Sequence, residues 1–223
     1  MKKISVLIII FLLTGCRVKY DLVINDDLTI IEEAKLTGTD EFFSNYYKTT
    51  KTNVLKSIVD VYHDVLEENN YQYELKEEQT PYVLVTKKYD SVNEYINNSK
   101  LFNNYFDKIN YSENGNIKKI ETEGFNPNEP ENPDRFNVKE LEIAIKCPYQ
   151  VTNHNAIRIN KATNTFYYEL NDKNNKIIFE YDTSIKYNPN EDITLVIIMG
   201  IVAIICTWGI VLYLDKKAVK NKK

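Results

Sequence analysis

Two apolar segments, one near each end of the chain, limit what the rest of the sequence can fold into. Residues 4–13 are almost entirely apolar, follow Lys2 and Lys3, and lead into Leu-Leu-Thr-Gly-Cys at 12–16. A positive start, a short apolar core and small residues are typical of a secretory signal. The core is about half as long as a bilayer-spanning helix. Residues 1–15 are therefore predicted to be a cleaved signal peptide.

Cys16 makes this signal more specific. Leu-Thr-Gly-Cys matches the bacterial lipobox, in which the cysteine sulfur receives a diacylglycerol and the cysteine becomes the new N-terminus after cleavage. We therefore predict a lipoprotein signal peptide, with acyl chains such as palmitate carried on Cys16. The alternative is an ordinary signal peptide with an incidental cysteine. It does not explain why the lysines, the apolar core and the small residues all stand at the spacing from Cys16 that a lipoprotein signal has.

The second apolar segment, residues 193–214, is uncharged and is followed by a lysine-rich tail, residues 215–223. A helix of this length is about 33 Å long, enough to cross the hydrocarbon core of a bilayer. Because Lys and Arg accumulate on the cytoplasmic side, the segment predicts a transmembrane helix with a cytoplasmic tail. Residues 16–192 would then form one extracytoplasmic domain at the cell membrane.

The predicted domain is acidic, since the chain has a formal net charge of −4 although both of its flanks are rich in lysine. An acidic surface argues against nucleic acid as a partner. Between Cys16 and the second apolar segment the sequence contains one cysteine, Cys147. No disulfide can therefore form within the domain, and the fold must depend on its core.

Hydrophobic patterning predicts an α+β fold, with helices packed on one face of an antiparallel sheet, in addition to the C-terminal transmembrane helix. Residues 53–68 give the strongest helix signal, because their apolar side chains recur on one arc. Ser91 and Glu94 predict a capping box for a second helical region that reaches Phe106. Strands are predicted by alternation and turn signals over residues 18–24, 28–36, 71–75, 82–86, 108–111, 117–121, 138–146, 156–160, 165–170 and 176–181.

Three parts of the sequence carry a family resemblance. YDLVINDDLTI follows the lipobox cysteine, CPYQVTNHNAIRINKATNTFYYEL spans Cys147 to Leu170, and the apolar segment with its lysine tail ends the sequence. Together they resemble the LppM-type lipoprotein family. The family consists of bacterial extracytoplasmic domains whose function is largely unassigned. The resemblance implies a cell-envelope lipoprotein, and it supplies no catalytic residues because its motifs are structural.

The residues themselves predict no catalytic, metal or cofactor site. His63 lies at the border of the apolar arc of residues 53–68, as expected of a partly buried and hydrogen-bonded histidine. His154 and Cys147 are too few to form a metal site. A Gly-x-Ser-x-Gly nucleophile motif does not occur in the sequence. An enzyme is therefore disfavoured.

Aromatic residues motivate a binding hypothesis. The chain contains 17 tyrosines and 9 phenylalanines, and tyrosine combines an apolar ring with a polar tip, which suits a groove for an acyl chain and its headgroup. The simpler alternative is that these rings are ordinary core. The groove is predicted to be lined by Tyr46, Tyr62, Phe102, Tyr105, Phe166, Tyr167 and Tyr168.

Two functional hypotheses follow for a non-catalytic, membrane-anchored envelope lipoprotein. In the first, the domain binds a lipid or another amphiphile. In the second, it is a docking or structural subunit of an envelope protein complex. An apolar cavity between helices and sheet favours the first, and a filled core with an exposed apolar patch favours the second.

Overall fold

The computed structural model describes residues 16–38, 50–78, 80–103, 105–125, 138–170 and 174–190. These residues form eleven strands and three helices, all within the first of two compact units, Met1–Tyr187 and Asn188–Lys223. The strands are β1 (Cys16–Ile24), β2 (Ile30–Gly38), β3 (Gln72–Lys76), β4 (Tyr82–Tyr89), β5 (Phe106–Asn114), β6 (Ile117–Phe125), β7 (Val138–Lys146), β8 (Tyr149–His154), β9 (Arg158–Asn160), β10 (Thr165–Glu169) and β11 (Ile178–Lys186). The helices are α1 (Lys51–Glu68), α2 (Val92–Asn98) and α3 (Lys100–Asn103).

The described strands form two sheets. The first sheet has the order β3-β4-β2-β1-β7-β10-β9, and the second has the order β5-β6-β11-β8. Neighbouring strands are antiparallel except β1 and β7, which run parallel, so the first sheet is mixed. The prediction of one antiparallel sheet with helices on one face is therefore wrong.

The width of the apolar face explains the second sheet. Buried and half-buried residues alternate along β2, so one face of the first sheet points into the core. At one end of this sheet α1 contacts β3 and β4, and α2 contacts β4 and β5. Towards the other end the second sheet covers it, since the Phe166 and Phe179 rings lie 5.5 Å apart and the Tyr168 hydroxyl donates to the Ile178 carbonyl at 3.2 Å. The three helices among the described residues are too few to cover seven strands.

The predicted fold also included a membrane-spanning helix, which α1, α2 and α3 do not supply. No helix in the described ranges is long and apolar enough to cross a membrane. The segment predicted to span the membrane, 193–214, lies outside the described residues, as do the predicted signal peptide, 1–15, and tail, 215–223.

The start of α2 has the predicted Ser91 N-cap, but the reciprocal bond of the capping box goes to Asp90 instead of to Ser91. The Glu94 N–H donates to Ser91 Oγ at 3.1 Å, and the Glu94 carboxylate accepts from the Asp90 N–H at 2.6 Å. The helical region is interrupted at Ser99, whose extended backbone separates α2 from α3, and it ends earlier than predicted, at Asn103. Phe106, the predicted end of the helical region, instead begins β5.

Phe179 provides a test of the packing between the two sheets. Its side chain is fully buried, and its ring contacts Phe166 and Tyr181. Phe179→Ala should lower the free energy of unfolding, measured by urea denaturation, by about 3–5 kcal/mol, because it removes a buried ring and leaves a cavity. Lys108→Ala, at an exposed position in β5, should change it by less than about 0.5 kcal/mol. Equal effects of the two substitutions would contradict this packing.

Candidate functional site: a buried carboxylate enclosed by hydroxyl groups

The carboxylate of Glu32 lies inside the core. Glu32 occupies an inward position of β2, between Ile30 and Ala34, and its side chain is fully buried. Alternate side chains of a strand share one face, so the pleat of β2 carries this carboxylate into the core. Acidic side chains are almost never fully buried unless they are paired. The groups around Glu32 therefore decide whether the fold accepts it.

Four hydroxyl groups donate hydrogen bonds to Glu32, two to each oxygen; we call this arrangement the hydroxyl cage. The Tyr20 and Ser99 hydroxyls lie 2.6 Å and 2.5 Å from Oε1. The Tyr89 and Tyr71 hydroxyls lie 2.6 Å and 3.0 Å from Oε2. An ionised carboxylate is an acceptor at both oxygens, whereas a protonated one must donate from one of them. The hydroxyl cage therefore suits the anion.

Further hydrogen bonds attach the cage to the helical segment. The Phe102 N–H donates to Ser99 Oγ at 2.9 Å, and the Lys100 N–H donates to the Tyr71 hydroxyl at 2.9 Å. These two donors belong to the first turn of α3, where backbone N–H groups have no partner within the helix. Glu32 thus holds α3 indirectly, through the Ser99 and Tyr71 hydroxyls that it orients.

Lys87 supplies positive charge beside the cage. It is the cross-strand partner of Glu32, and its Nζ lies 5.1 Å and 4.8 Å from the ring centroids of Tyr71 and Tyr89. The same ammonium donates to the Asn69 carbonyl at 2.8 Å. The Lys87 ammonium lies on the faces of the two tyrosine rings whose hydroxyls bind Glu32. Because the region between them has a low dielectric constant, the ammonium offsets part of the negative charge of Glu32.

Burial raises the pKa of the tyrosines that surround Glu32. Burial first, and the negative charge of Glu32 second, raise the pKa of Tyr71 to about 12. The same causes in the same order raise the pKa of Tyr20, Tyr89 and Tyr95 well above its usual value. These hydroxyls therefore keep their protons at neutral pH and remain hydrogen-bond donors. The arrangement stabilises the fold and leaves Glu32 no exposed surface to offer a substrate.

Four of the residues predicted to line a groove belong to the hydrophobic core: Phe102, Tyr105, Phe166 and Tyr168. The Phe102 ring lies 5.4 Å from the Tyr95 ring and 5.0 Å from the Phe106 ring. Phe166 and Tyr168 point inward from β10 towards the second sheet. The structure therefore brings these four residues into one core, where their rings pack against other side chains.

The other three predicted groove residues do not join that group in the described structure. Tyr167 is half-buried on the opposite face of β10, where the Arg158 guanidinium lies 3.7 Å from its ring centroid. Tyr46 lies outside the described residues, and so does the side chain of Tyr62. The lipid groove stays a prediction.

Cys16, the predicted lipidation site, is the first residue of β1. Its backbone pairs with Gly38 of β2 on one side and with Val138 of β7 on the other. The residue that is predicted to carry the acyl chains is therefore itself paired within the first sheet.

The two histidines and Cys147 have structural surroundings. His63 Nδ1 lies 2.5 Å from the Tyr73 hydroxyl, and His154 Nδ1 accepts from the Ala156 N–H at 3.2 Å. Burial raises the pKa of the Cys147 thiol to about 12, so it stays protonated. Within the described ranges, no group of three or more His, Cys, Asp or Glu side chains is arranged to hold a metal ion.

Comparisons with known proteins give one structural likeness. No protein-family model matches the sequence, and no curated protein matches it. The chain is similar to the NMR structure of the folded domain of Mycobacterium tuberculosis LppM, with a TM-score of 0.44 and 15% sequence identity. The match covers 79% of this chain and 94% of that chain. Membership of the LppM-type family stays a prediction.

Glu32→Gln tests the contribution of the carboxylate. An amide nitrogen cannot accept a hydrogen bond, so two of the four hydroxyls lose their acceptor while the shape of the side chain is kept. We expect the free energy of unfolding, measured by urea denaturation, to fall by at least about 2 kcal/mol. Glu33→Gln is the matched control, since its half-exposed side chain lies 3.8 Å from Lys35, and should change stability by less than about 1 kcal/mol. Equal free energies of unfolding for Glu32→Gln and Glu33→Gln would refute the structural role of the hydroxyl cage.

The raised tyrosine pKa values predict a loss of stability in alkali. Above pH 10 the unfolded chain releases tyrosine protons that the folded protein keeps, so the free energy of unfolding falls as pH rises. For Tyr71 the decline should extend from about pH 10 to about pH 12, contributing up to about 1.4 kcal/mol per pH unit. Urea denaturation between these pH values measures the slope, which Tyr71→Phe should reduce. An unchanged slope in that variant would show that Tyr71 ionises as easily in the folded protein.

Proposed function

We propose that this chain is a bacterial cell-envelope lipoprotein whose domain is held at the membrane by acyl chains on Cys16. The observation that carries the proposal is that the lipobox cysteine coincides with the first residue of β1. Thiol acylation at this position would attach the lipid directly to a central strand of the first sheet. More than one acyl chain makes such an anchor stable, because a single chain gives marginal membrane binding.

We further propose that the domain acts by binding, as a docking or structural subunit of an envelope complex. In support, the buried carboxylate is occupied by hydroxyl donors, and the predicted groove rings that the structure describes in the core are packed against neighbours. The outer face of the first sheet offers a polar surface, where Lys19 pairs across the strands with Lys35 and Glu142, and Asp21 pairs with Glu33. Side chains fixed by a sheet present such charges to a protein partner in a constant arrangement.

Binding of a lipid or another amphiphile is the second candidate. Tyr167 favours it, because its half-exposed ring beneath the Arg158 guanidinium combines apolar surface with a cation that suits an anionic headgroup. The material that copurifies with the detergent-extracted protein distinguishes the two candidates. A stoichiometric polypeptide supports the docking subunit, whereas a stoichiometric lipid that is lost in Tyr167→Ser supports the amphiphile-binding module.

Cys16→Ser tests the proposed anchor. In bacteria grown with labelled palmitate, the unaltered protein should incorporate the label, because the sulfur of Cys16 is the attachment atom. It should also lose residues 1–15, because cleavage of a lipobox leaves the cysteine as the new N-terminus. Cys16→Ser should incorporate none, since a hydroxyl does not replace the thiol in lipobox modification. Cys147→Ala is the matched control and should be labelled normally. Labelling of Cys16→Ser, or no label in the unaltered protein, would refute the proposal.

A further inference from the structure

The outer face of the first sheet has no covering element among the residues that the structure describes. The core lies on the other face of this sheet, where the second sheet and α1 pack. Along β1 the buried residues alternate with Lys19, Asp21 and Val23, which therefore point outward. The charges on this outer face indicate what kind of surface could cover it.

Like charges lie opposite each other on two neighbouring strands of the outer face. Lys19 of β1 pairs across the strands with Lys35 of β2, and we call these two the basic row. Asp21 pairs in the same way with Glu33, and we call these two the acidic row. Like charges directly opposite on adjacent strands are destabilising. The face therefore keeps an arrangement that costs stability within one copy of the chain.

The ion pairs within one copy compensate these rows only in part. Lys35 Nζ lies 3.8 Å from the Glu33 carboxylate, and Lys19 Nζ lies 4.0 Å from Glu142. Burial first, and the charge of Glu33 second, raise the pKa of Asp21, although Lys35 and Lys19 act in the opposite direction. A cation brought to the acidic row from outside would therefore be stabilised there.

The two rows are complementary to a second copy of themselves. Residues two apart along a strand are separated by about 7 Å, so the rows run side by side across β1 and β2. A two-fold axis that lies between the rows, in the plane of contact, turns the acidic row of one copy onto the basic row of the other. Lys19 would then face Asp21 of the second copy, and Lys35 would face Glu33 of the second copy. Two-fold symmetry repeats each contact, which gives four ion pairs.

Charge disfavours the other two-fold arrangement of the same faces. An axis parallel to the strands, between β1 and β2, would place Lys19 on Lys35 of the second copy. It would also place Asp21 on Glu33 of the second copy. Like charges in contact suppress a wrong arrangement. The rows therefore select the orientation in which the β1 strands of the two copies run antiparallel.

Neighbouring positions of the face accept the selected orientation. In β4, Leu84 lies level with the basic row and Thr86 lies level with the acidic row, so these two side chains would face each other. In β7, Glu142 and Ala144 stand at the same two levels, and Ala144 is small and buried. Neither position brings like charges together.

The size of the face suits a contact between two copies. The strands β4, β2, β1 and β7 have eight or nine residues each. At the usual strand rise and spacing they cover roughly 600 Å² before the relief of the side chains is counted. Each partner in a standard protein interface buries about 800 Å². The face is therefore large enough for specific association.

We infer that the outer face of the first sheet docks on the same face of a second copy of this chain, through the basic and acidic rows. This inference rests on the docking function proposed above and names its partner. Sheets that pack face to face lie about 10 Å apart, which long charged side chains can bridge. The two Cys16 residues would lie at the same height above a membrane perpendicular to the axis, so one bilayer can anchor both copies.

Exchange of charges between the rows tests this inference with the full-length protein purified in detergent. Lys19→Asp and Asp21→Lys each place like charges face to face in the dimer, at two symmetric positions. The double variant Lys19→Asp/Asp21→Lys exchanges the charges and restores both contacts. Lys108→Asp, at an exposed position in β5 of the second sheet, is the matched control. Sedimentation over a range of protein concentrations measures the dissociation constant of the dimer, and thermal melts confirm that each variant is folded.

The unaltered protein should sediment as a dimer. Each single variant of the rows should raise the dissociation constant at least about tenfold, and the double variant should return it to within about threefold of the original value. Lys108→Asp should leave it unchanged. A dimer that forms equally well in all these variants would overturn the inference. A monomer that copurifies with a different polypeptide would overturn it and leave the docking function standing, whereas a monomer that retains a stoichiometric lipid and no polypeptide would overturn both.

Discussion

The fold depends on a single negative charge placed where an apolar side chain would be expected. A buried carboxylate is tolerated when hydrogen bonds and a nearby cation replace the hydration that it loses, and Glu32 has four hydroxyl donors and Lys87 beside it. The donors come from different elements: Tyr20 from β1, Tyr89 from β4, Tyr71 from the end of the α1–β3 connection, and Ser99 from the junction of α2 and α3. One carboxylate thus specifies positions that apolar contacts alone would leave free to shift.

Features that depend on neighbouring residues could be predicted from the sequence. The N-cap at Ser91 formed because Ser91 and Glu94 are three residues apart, and Gly115 has the positive φ that the two-residue turn between β5 and β6 requires. The helix over residues 53–68 and most strand positions agree with the structure within a few residues. Here local chemistry and tertiary packing favour the same conformation, as expected of a chain that folds reliably.

Features that depend on distant residues could not be predicted. The sequence of β1 does not indicate that its parallel partner is β7, which lies more than a hundred residues later. Strand β8 was not predicted because Tyr149–His154 contains few apolar residues. The second sheet was therefore not anticipated. The sequence did contain a signal for the hydroxyl cage. Ile30, Ala34 and Leu36 alternate along β2 and predict which face points inward, and Glu32 lies on that same face. The chain is also rich in tyrosine, which could supply hydroxyl donors. The pattern indicates a buried acid, but its partners are scattered from residue 20 to residue 99.

The placement of β1 has a mechanical consequence. This strand is paired along its length with β2 on one side and with β7 on the other. A pull applied at Cys16 in the direction of the strand would load both ladders in shear, so many hydrogen bonds would have to break together. A pull across an edge strand would instead open one bond after another. Attachment through the first residue of a central strand therefore suits a protein that must resist tension between its domain and its point of attachment.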